Sequence, residues 1–408
     1  MRGKILISLF LIISCSAFGA EFSDYYASAS ESSESASALN TGLTAFELLL
    51  IPGGGRLESM GTAYTAVAMD AVSMEANPAA TSVLDSTELS FLHNDWIADS
   101  KIEGVLYTIR FNNLGIGLGS KFLYVPFTEY NQWGEPVSKG YPAESVTTLN
   151  ISYNFFSSYY FYGFAVGANL KAAYRHIPTS IYQNQSVLSA MADVGILTRF
   201  NLLKFYSSRD RNFSLGAAVK NLGFAAIDDP LPTAVTVGLA YGPVRPLILS
   251  FDFTYPFTLY AAVPATQWYM AAGMDLAVTE FFAVQGGFYY RGSNPRISLG
   301  STVDFSDISI AVNYTLDMTT RVDTVDRFSL EAKLILGDEG RYAMQMRVEE
   351  LYLAGLEAYA MGNLRTAIRY WESTLSMDPT FQPAMEILQT AKEALELQEE
   401  MRELSKVE

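Results

Sequence analysis

Between residues 86 and 337 apolar and polar residues alternate in one long segment after another. This pattern limits the fold more than any other feature of the chain. Ile308, Ile310, Val312, Tyr314 and Leu316 fall on one face of such a segment, with Asp307, Ser309, Ala311, Asn313 and Thr315 on the other. Ile297, Leu299 and Val303 likewise oppose Arg296, Ser298, Gly300, Thr302 and Asp304; Phe328, Leu330, Leu334 and Leu336 oppose Ser329, Glu331 and Lys333. Period-two alternation defines strands with one apolar and one polar face. The reading places strands near 87–95, 102–112, 114–124, 144–155, 161–175, 187–200, 212–221, 233–242, 246–257, 266–278, 281–291, 296–304, 307–316 and 326–336.

Alternation alone does not distinguish a soluble β-fold, whose apolar face is its core, from a membrane barrel, whose apolar face meets lipid. Strand length and connections favour the barrel. The segments approach the roughly 9–11 residues of a tilted membrane strand, against about 5–6 in ordinary globular strands. Even-numbered connections are short and odd-numbered ones longer, with 201–211 as the exception, which is the outer-membrane pattern. Aromatic residues near strand ends, such as Phe155-Phe156, Tyr159 to Tyr162, Phe281-Phe282 and Tyr289-Tyr290, fit interfacial girdles. The expected fold is mainly β: an antiparallel transmembrane barrel of about 14 strands over 86–337.

Composition excludes other classes. Charged residues are 17% of the 408 and the net charge is −16, so the basic surface that nucleic acid requires is missing. With one Cys and only His93 and His176, neither a disulfide framework nor a metal site is expected, and no cofactor is. Neither a G-x-S-x-G nor an H-E-x-x-H motif occurs. His176, Ser180, Ser186 and Asp193 are near in sequence, which does not make a triad. The expectation is a non-enzyme without catalytic residues.

The ends have their own grammar. Arg2 and Lys4 precede the apolar run Ile5 to Ile13, so 1–20 reads as a signal peptide. Cleavage after Gly19 or Ala20 and lipidation of Cys15, which follows Ile12-Ile13-Ser14, are the two outcomes considered, cleavage being favoured. Residues 21–42 are a Ser-rich linker unable to form a core. In 43–85, Pro52-Gly53-Gly54-Gly55 breaks the chain, Gly61, Ala63, Ala66, Ala68 and Ala71 suggest a short helix able to approach a wall closely, and Asn77-Pro78 marks a turn.

Residues 338–408 carry 14 acidic and 7 basic residues and read as three helices, about 344–360, 364–376 and onward from Gln382. Leu351, Gly355, Ala367, Trp371 and Pro379 fall on tetratricopeptide spacing, with Tyr359 one place off. One repeat is short of a solenoid; it could dock on a protein partner, another copy or the barrel rim.

The stretch GGGRLESMGTAYTAVAMDAVSMEANPAATSVL resembles the N-terminal signature of FadL-like outer-membrane proteins, with Gly61, Ala66, Asp70, Asn77, Pro78 and Ala79 on its pattern. AAVKNLGFA, DDPLPTAVTVGLAYG and GMDLAVTEFFAVQGGFYYRGSNPRISLGSTV resemble phrases of PorV-like relatives. The resemblance covers about 45–336, and the helical tail is similar to that of treponemal FadL-like proteins grouped as an uncharacterised family. It implies a fourteen-stranded barrel plugged by 43–85, with Asn77-Pro78 fixing the turn to the wall and Asp70 hydrogen-bonding in the lumen. The implied function is uptake of hydrophobic small molecules across the bacterial outer membrane, long-chain fatty acids first, with the 338–408 tail in the periplasm recruiting a protein. The implied alternative is a secretion-associated scaffold that holds partners through its tail. A continuous apolar tunnel would favour transport, and a polar or sealed lumen the scaffold.

Overall fold

The computed structural model describes residues 44–407 except 97–98, 180, 182, 207, 209, 228, 260–267, 292–293 and 318–324. The signal segment, Cys15 and the Ser-rich linker lie outside the described residues, as does Ser180. The chain forms β1 (Thr87–Asp95), β2 (Lys101–Phe111), β3 (Leu114–Tyr124), β4 (Phe127–Tyr130), β5 (Pro136–Gly140), β6 (Ala143–Phe155), β7 (Phe164–His176) and β8 (Val187–Phe200). It continues through β9 (Phe213–Gly223), β10 (Ala234–Val244), β11 (Leu247–Pro256), β12 (Tyr269–Thr279), β13 (Phe282–Arg291), β14 (Asn294–Phe305), β15 (Ile308–Asp317) and β16 (Val325–Gly337).

Fourteen of these strands form one closed barrel, β4 and β5 being a separate two-stranded hairpin. Sequence neighbours pair antiparallel throughout, β3 pairs β6, and β1 closes on β16 from Thr87↔Gly337 to Asp95↔Phe328. Closure removes the unpaired edges that an open sheet exposes. The sequence reading finds all fourteen barrel strands and misses the hairpin, whose nine residues are short and mostly exposed.

The barrel reverses the polarity of a soluble fold. On β11, Ser250, Asp252 and Thr254 are buried inward while Phe251, Phe253 and Tyr255 are exposed outward. On β6, Asn150, Ser152 and Asn154 point in while Leu149, Ile151, Tyr153 and Phe155 point out. In water, burying amides and carboxylates while exposing aromatic rings costs free energy on both counts.

Short connections at 112–113, 245–246, 280–281 and 306–307 lie at one end of the barrel, together with the start of β1 and the exit from β16. The left-handed residues Asn112 (φ 52°) and Ser306 (φ 51°) tighten two of them. Most longer connections lie at the other end. Residues 44–86 run through the interior between the two. Ala45 N–H donates to the Pro230 carbonyl at the long-connection end, and Arg110 donates to the Leu84 carbonyl near the short-turn end.

After β16, three helices follow, Arg341–Ala360, Leu364–Met377 and Gln382–Val407. Tyr342 N–H donates to Asp338 at 2.6 Å, which holds the Asp338 carboxyl below the ordinary carboxylate range. Trp371 fills the seam between the first two helices. It is fully buried beside Ala367, and its Nε1–H donates to the Tyr352 carbonyl at 3.2 Å. A Cβ on Gly355 would collide with the Trp371 ring. Tyr159, in the 156–163 turn of the barrel, meets Phe381 edge-on at 5.0 Å, and Phe381 meets Tyr352 at 5.2 Å. The tail therefore lies on the short-turn rim.

Candidate functional site

The interior segment is built by its wall. It has helical turns only at Gly55–Ser59 and Ser73–Ala76 and 3-10 turns at Glu47–Leu50 and Pro78–Val83. The expected helix across Gly61 to Ala71 is instead a series of turns. The physical reason is that wall carboxylates, rather than a helical ladder, satisfy its amides. Tyr64 N–H and Thr65 N–H both donate to Asp252 Oδ2, at 3.0 and 2.9 Å, and Ala71 N–H donates to Glu88 Oε2 at 2.8 Å. A buried amide left without a partner costs about 1–3 kcal/mol, so these few bonds decide the path of the backbone.

Asn77 is the most connected of the predicted residues. Its Nδ2 donates to the Thr65 carbonyl at 2.8 Å and to the Ile196 carbonyl of β8 at 2.9 Å; its Oδ1 accepts from Ala79 N–H at 3.0 Å. One side chain thus joins two parts of the segment to the wall and caps the 3-10 turn that Pro78 opens. Asn150 holds that turn from the other side, donating to the Pro78 carbonyl at 2.9 Å while its Oδ1 accepts from Thr81 at 2.5 Å. Asp70 is buried and accepts from Tyr64 OH at 2.9 Å and Ser73 Oγ at 3.2 Å, so it braces the segment internally.

The wall also supplies space. A Cβ on Gly195 would collide with Asn77, one on Gly167 with Pro78, one on Gly216 with Thr65, and one on Gly287 with Gly61. Gly61 itself has φ 62°, and its own Cβ would come within 2.7 Å of the Phe288 nitrogen on β13. Ala66 and Ala79 are buried beside Gly238 and Gly167. The sequence reading assigned close approach to small residues of the segment and overlooked the inward glycines of the wall. The alternation LGIGLG at 114–119 carried that signal, since Gly115, Gly117 and Gly119 share the inward face.

On the long-connection side of the segment lies a cavity of about 140 Å³. Leu49, Leu50, Ile51, Pro52 and Leu57 give it apolar surface; Lys121, Lys171, Lys220, Arg296 and Arg327 meet it with Glu58, Glu75 and Asp252. Lys121 pairs with Glu75 at 3.0 Å, Lys171 with Asp193 at 2.6 Å, and Arg296 with Asp317 at 2.9 Å. Arg327 lies 4.1 Å from the Trp96 ring centroid. Sequence reasoning missed this chamber because its lining comes from strands far apart along the chain.

The remaining sequence candidates separate. Asp193 is buried against Lys171 and Asn169, whereas His176 is exposed and stacked on Tyr174. In the β7–β8 ladder Asp193 faces Asn169, seven residues before His176 and therefore roughly 23 Å away at the strand rise. His93 bonds Glu103 across β1–β2 at 2.9 Å. Gly355, Ala367 and Trp371 are buried within the tail and build it, Leu351 is half-buried and Pro379 exposed. Among the described residues no group of three or more His, Cys, Asp or Glu could hold a metal ion, and no helix is long and apolar enough to cross a membrane.

With this geometry in view, the family model described as "Uncharacterised protein family (UPF0164)" matches residues 22–339. One relative, a UPF0164 protein of Treponema pallidum (strain Nichols), is 28% identical over 372 residues, covering 87% of this chain and 84% of its own length. A second from the same organism is 25% identical over 394 residues, covering 88% and 77%. Among solved structures, the CymD monoaromatic hydrocarbon channel aligns with TM-score 0.49 and 12% identity, over 72% of this chain and 99% of its own. The Ralstonia pickettii toluene transporter TbuX aligns with TM-score 0.46 and 12% identity, over the same shares.

Proposed function

The chain belongs to the uncharacterised protein family UPF0164, and from that premise we propose that it is a non-enzymatic outer-membrane channel for hydrophobic small molecules, plugged by residues 44–86. The observation that carries this reading is the reversed polarity of the barrel. An apolar exterior suits a lipid surround, and a polar interior bonded to a through-running segment suits a closed lumen. Long-chain fatty acids are the first ligand to try, because the chamber combines an apolar roof with basic groups. Passage requires the segment to shift or the wall to open laterally, since 44–86 occupies the lumen. In this reading the short-turn end and the helical tail face the periplasm.

The test is oleate binding to detergent-refolded protein, followed by uptake into liposomes that contain it. Saturable binding with protein-dependent uptake is expected. Binding no stronger than to an unrelated barrel, on protein shown to be folded, would overturn the channel.

A second reading is a partner-holding scaffold. It draws on the polar groups of the interior, where Lys121, Lys171, Lys220, Arg296 and Arg327 line the chamber, and on the acidic tail seated at the rim. Undiminished uptake by a protein truncated after Gly337 would count against it.

A further inference from the structure

We propose that the outer face of the first tail helix, Arg341–Ala360, is a docking surface for a basic amphipathic helix of a partner protein. The proposal deepens the scaffold reading and rests on it for the tail's purpose. Its first support is a helix that is apolar on two sides. Val348, Gly355 and Ala358 are buried toward the Trp371 seam. At about 100° per residue, Tyr342, Met346 and Leu353 fall within about 40° of one another and roughly opposite those three. They are 69%, 50% and 60% exposed. A helix that meets only water on its outer side carries polar and charged residues there. Single exposed apolar residues are ordinary, but a row of them along a ridge of about 17 Å marks an interaction surface.

The second support is charge, and it chooses the occupant. Glu349, Glu350 and Glu357 lie on or beside the same ridge. Arg347 pairs with Glu350 at 2.6 Å, and three carboxylates against that one base leave the face at −2. Arg365 and Lys392 are taken up by Glu399 and Glu372 on the other two helices. Residues 338–408 carry 14 acidic and 7 basic residues, so no surplus of base elsewhere in the tail offsets the face.

The other occupants fit poorly. An anionic lipid surface repels the face, and the interleaved carboxylates are costly against acyl chains. A second copy would bring like charge to like. Residues 21–43 carry Glu21, Asp24, Glu31 and Glu34 and no base, so they are repelled as well. A helix whose apolar stripe is flanked by Lys or Arg meets both features. Its stripe covers Tyr342, Met346 and Leu353, and its bases reach the carboxylates. Met346 is unbranched and adapts to the surface it meets.

The test is fluorescence anisotropy of a labelled peptide of about 18 residues, with Leu on an i, i+3, i+4, i+7 stripe and Lys elsewhere. It is titrated with full-length protein in nanodiscs of zwitterionic lipid, and protein truncated after Gly337 supplies the background. Saturable binding above that background is expected, weakening at least threefold from about 0.05 to 0.3 M salt. An analogue with Glu in place of Lys is expected to bind at least tenfold more weakly. Leu353→Ser with Met346→Ser is expected to weaken the basic peptide at least tenfold. Glu349→Gln with Glu357→Gln is expected to weaken it at least threefold and to flatten the salt dependence. Unchanged protease resistance of 341–407 shows that the tail stays folded; if either pair loosens it, Leu353→Lys alone carries the tenfold expectation. Equal binding of the two peptides, or affinity indifferent to the variants, would overturn the face. Self-association lost in Leu353→Ser would assign it to a second copy. Protection of 342–357 from hydrogen exchange by phosphatidylglycerol discs without peptide would assign it to lipid, and either result overturns the proposal. Binding that needs 338–408 but ignores the face variants removes the face and leaves the scaffold reading; binding equal in the truncated protein removes both.

Discussion

The barrel interior and the helical tail bury comparable kinds of surface by opposite rules. In the tail, Trp371, Ala367, Ile368 and Phe381 are buried and the charges face out. In the barrel, Asn77, Asp252, Asn150 and Glu88 are buried beside an apolar cluster that includes Met60, Met74, Leu92 and Leu106, while Leu149, Ile151, Phe251 and Phe253 face out. Apolar packing is non-directional and tolerates small shifts. A polar interior is held by discrete bonds, each of which needs its own partner at the right distance. The tail should therefore fail through cavities, and the barrel interior through lost donors or through crowding.

The largest expected effect is Trp371→Ala. It leaves a cavity in the tail seam and should cost roughly 3–5 kcal/mol there. Limited proteolysis should release 341–407 while the barrel keeps its heat-modifiable mobility; loss of both together would show that the two regions share one core. Next comes Asn77→Ala, which strands the Thr65 carbonyl and the Ala79 amide and removes the segment's bond to the Ile196 carbonyl, at roughly 2–4 kcal/mol. Hydrogen exchange should rise across 60–83 and leave the tail unchanged. Gly287→Ala should crowd Gly61 from the wall side and cost about 1–3 kcal/mol, read as protease sensitivity of 44–86 with the barrel intact. The smallest is Phe381→Leu, which keeps an apolar side chain in the seam and removes aromatic pairs worth about 0.5–1.5 kcal/mol, so the tail should remain folded but exchange faster at its contact with Tyr159.

The same contrast explains what was legible beforehand. β3 and β8 coincide with the segments read at 114–124 and 187–200, because alternation is a local property that the strand preserves. The tail seam was readable from Gly355, Ala367 and Trp371, since helix pairing there is also local. The reading of 43–85 as an interior segment was drawn from the resemblance around Asn77-Pro78, because composition alone permits an ordinary helix. The segment's actual path depends on Asp252 and Glu88, of which Asp252 lies 187 residues beyond Thr65. The β8–β9 register break, where Lys220 and Asn221 together oppose Asp193, depends on a residue 28 positions before Asn221, and no period-two pattern announces it.

The central claim, a channel closed by its own N-terminal segment, is tested most directly by conductance across a planar bilayer. The full-length protein is compared with a variant lacking residues 44–84, and with Asn77→Ala as a milder lesion that keeps the chain intact. The account predicts a full-length protein that is closed apart from brief events, steady large steps for the deletion, and frequent transient openings for Asn77→Ala. Steady conductance of the full-length protein equal to the deletion, or closed traces from all three after verified insertion, would contradict it.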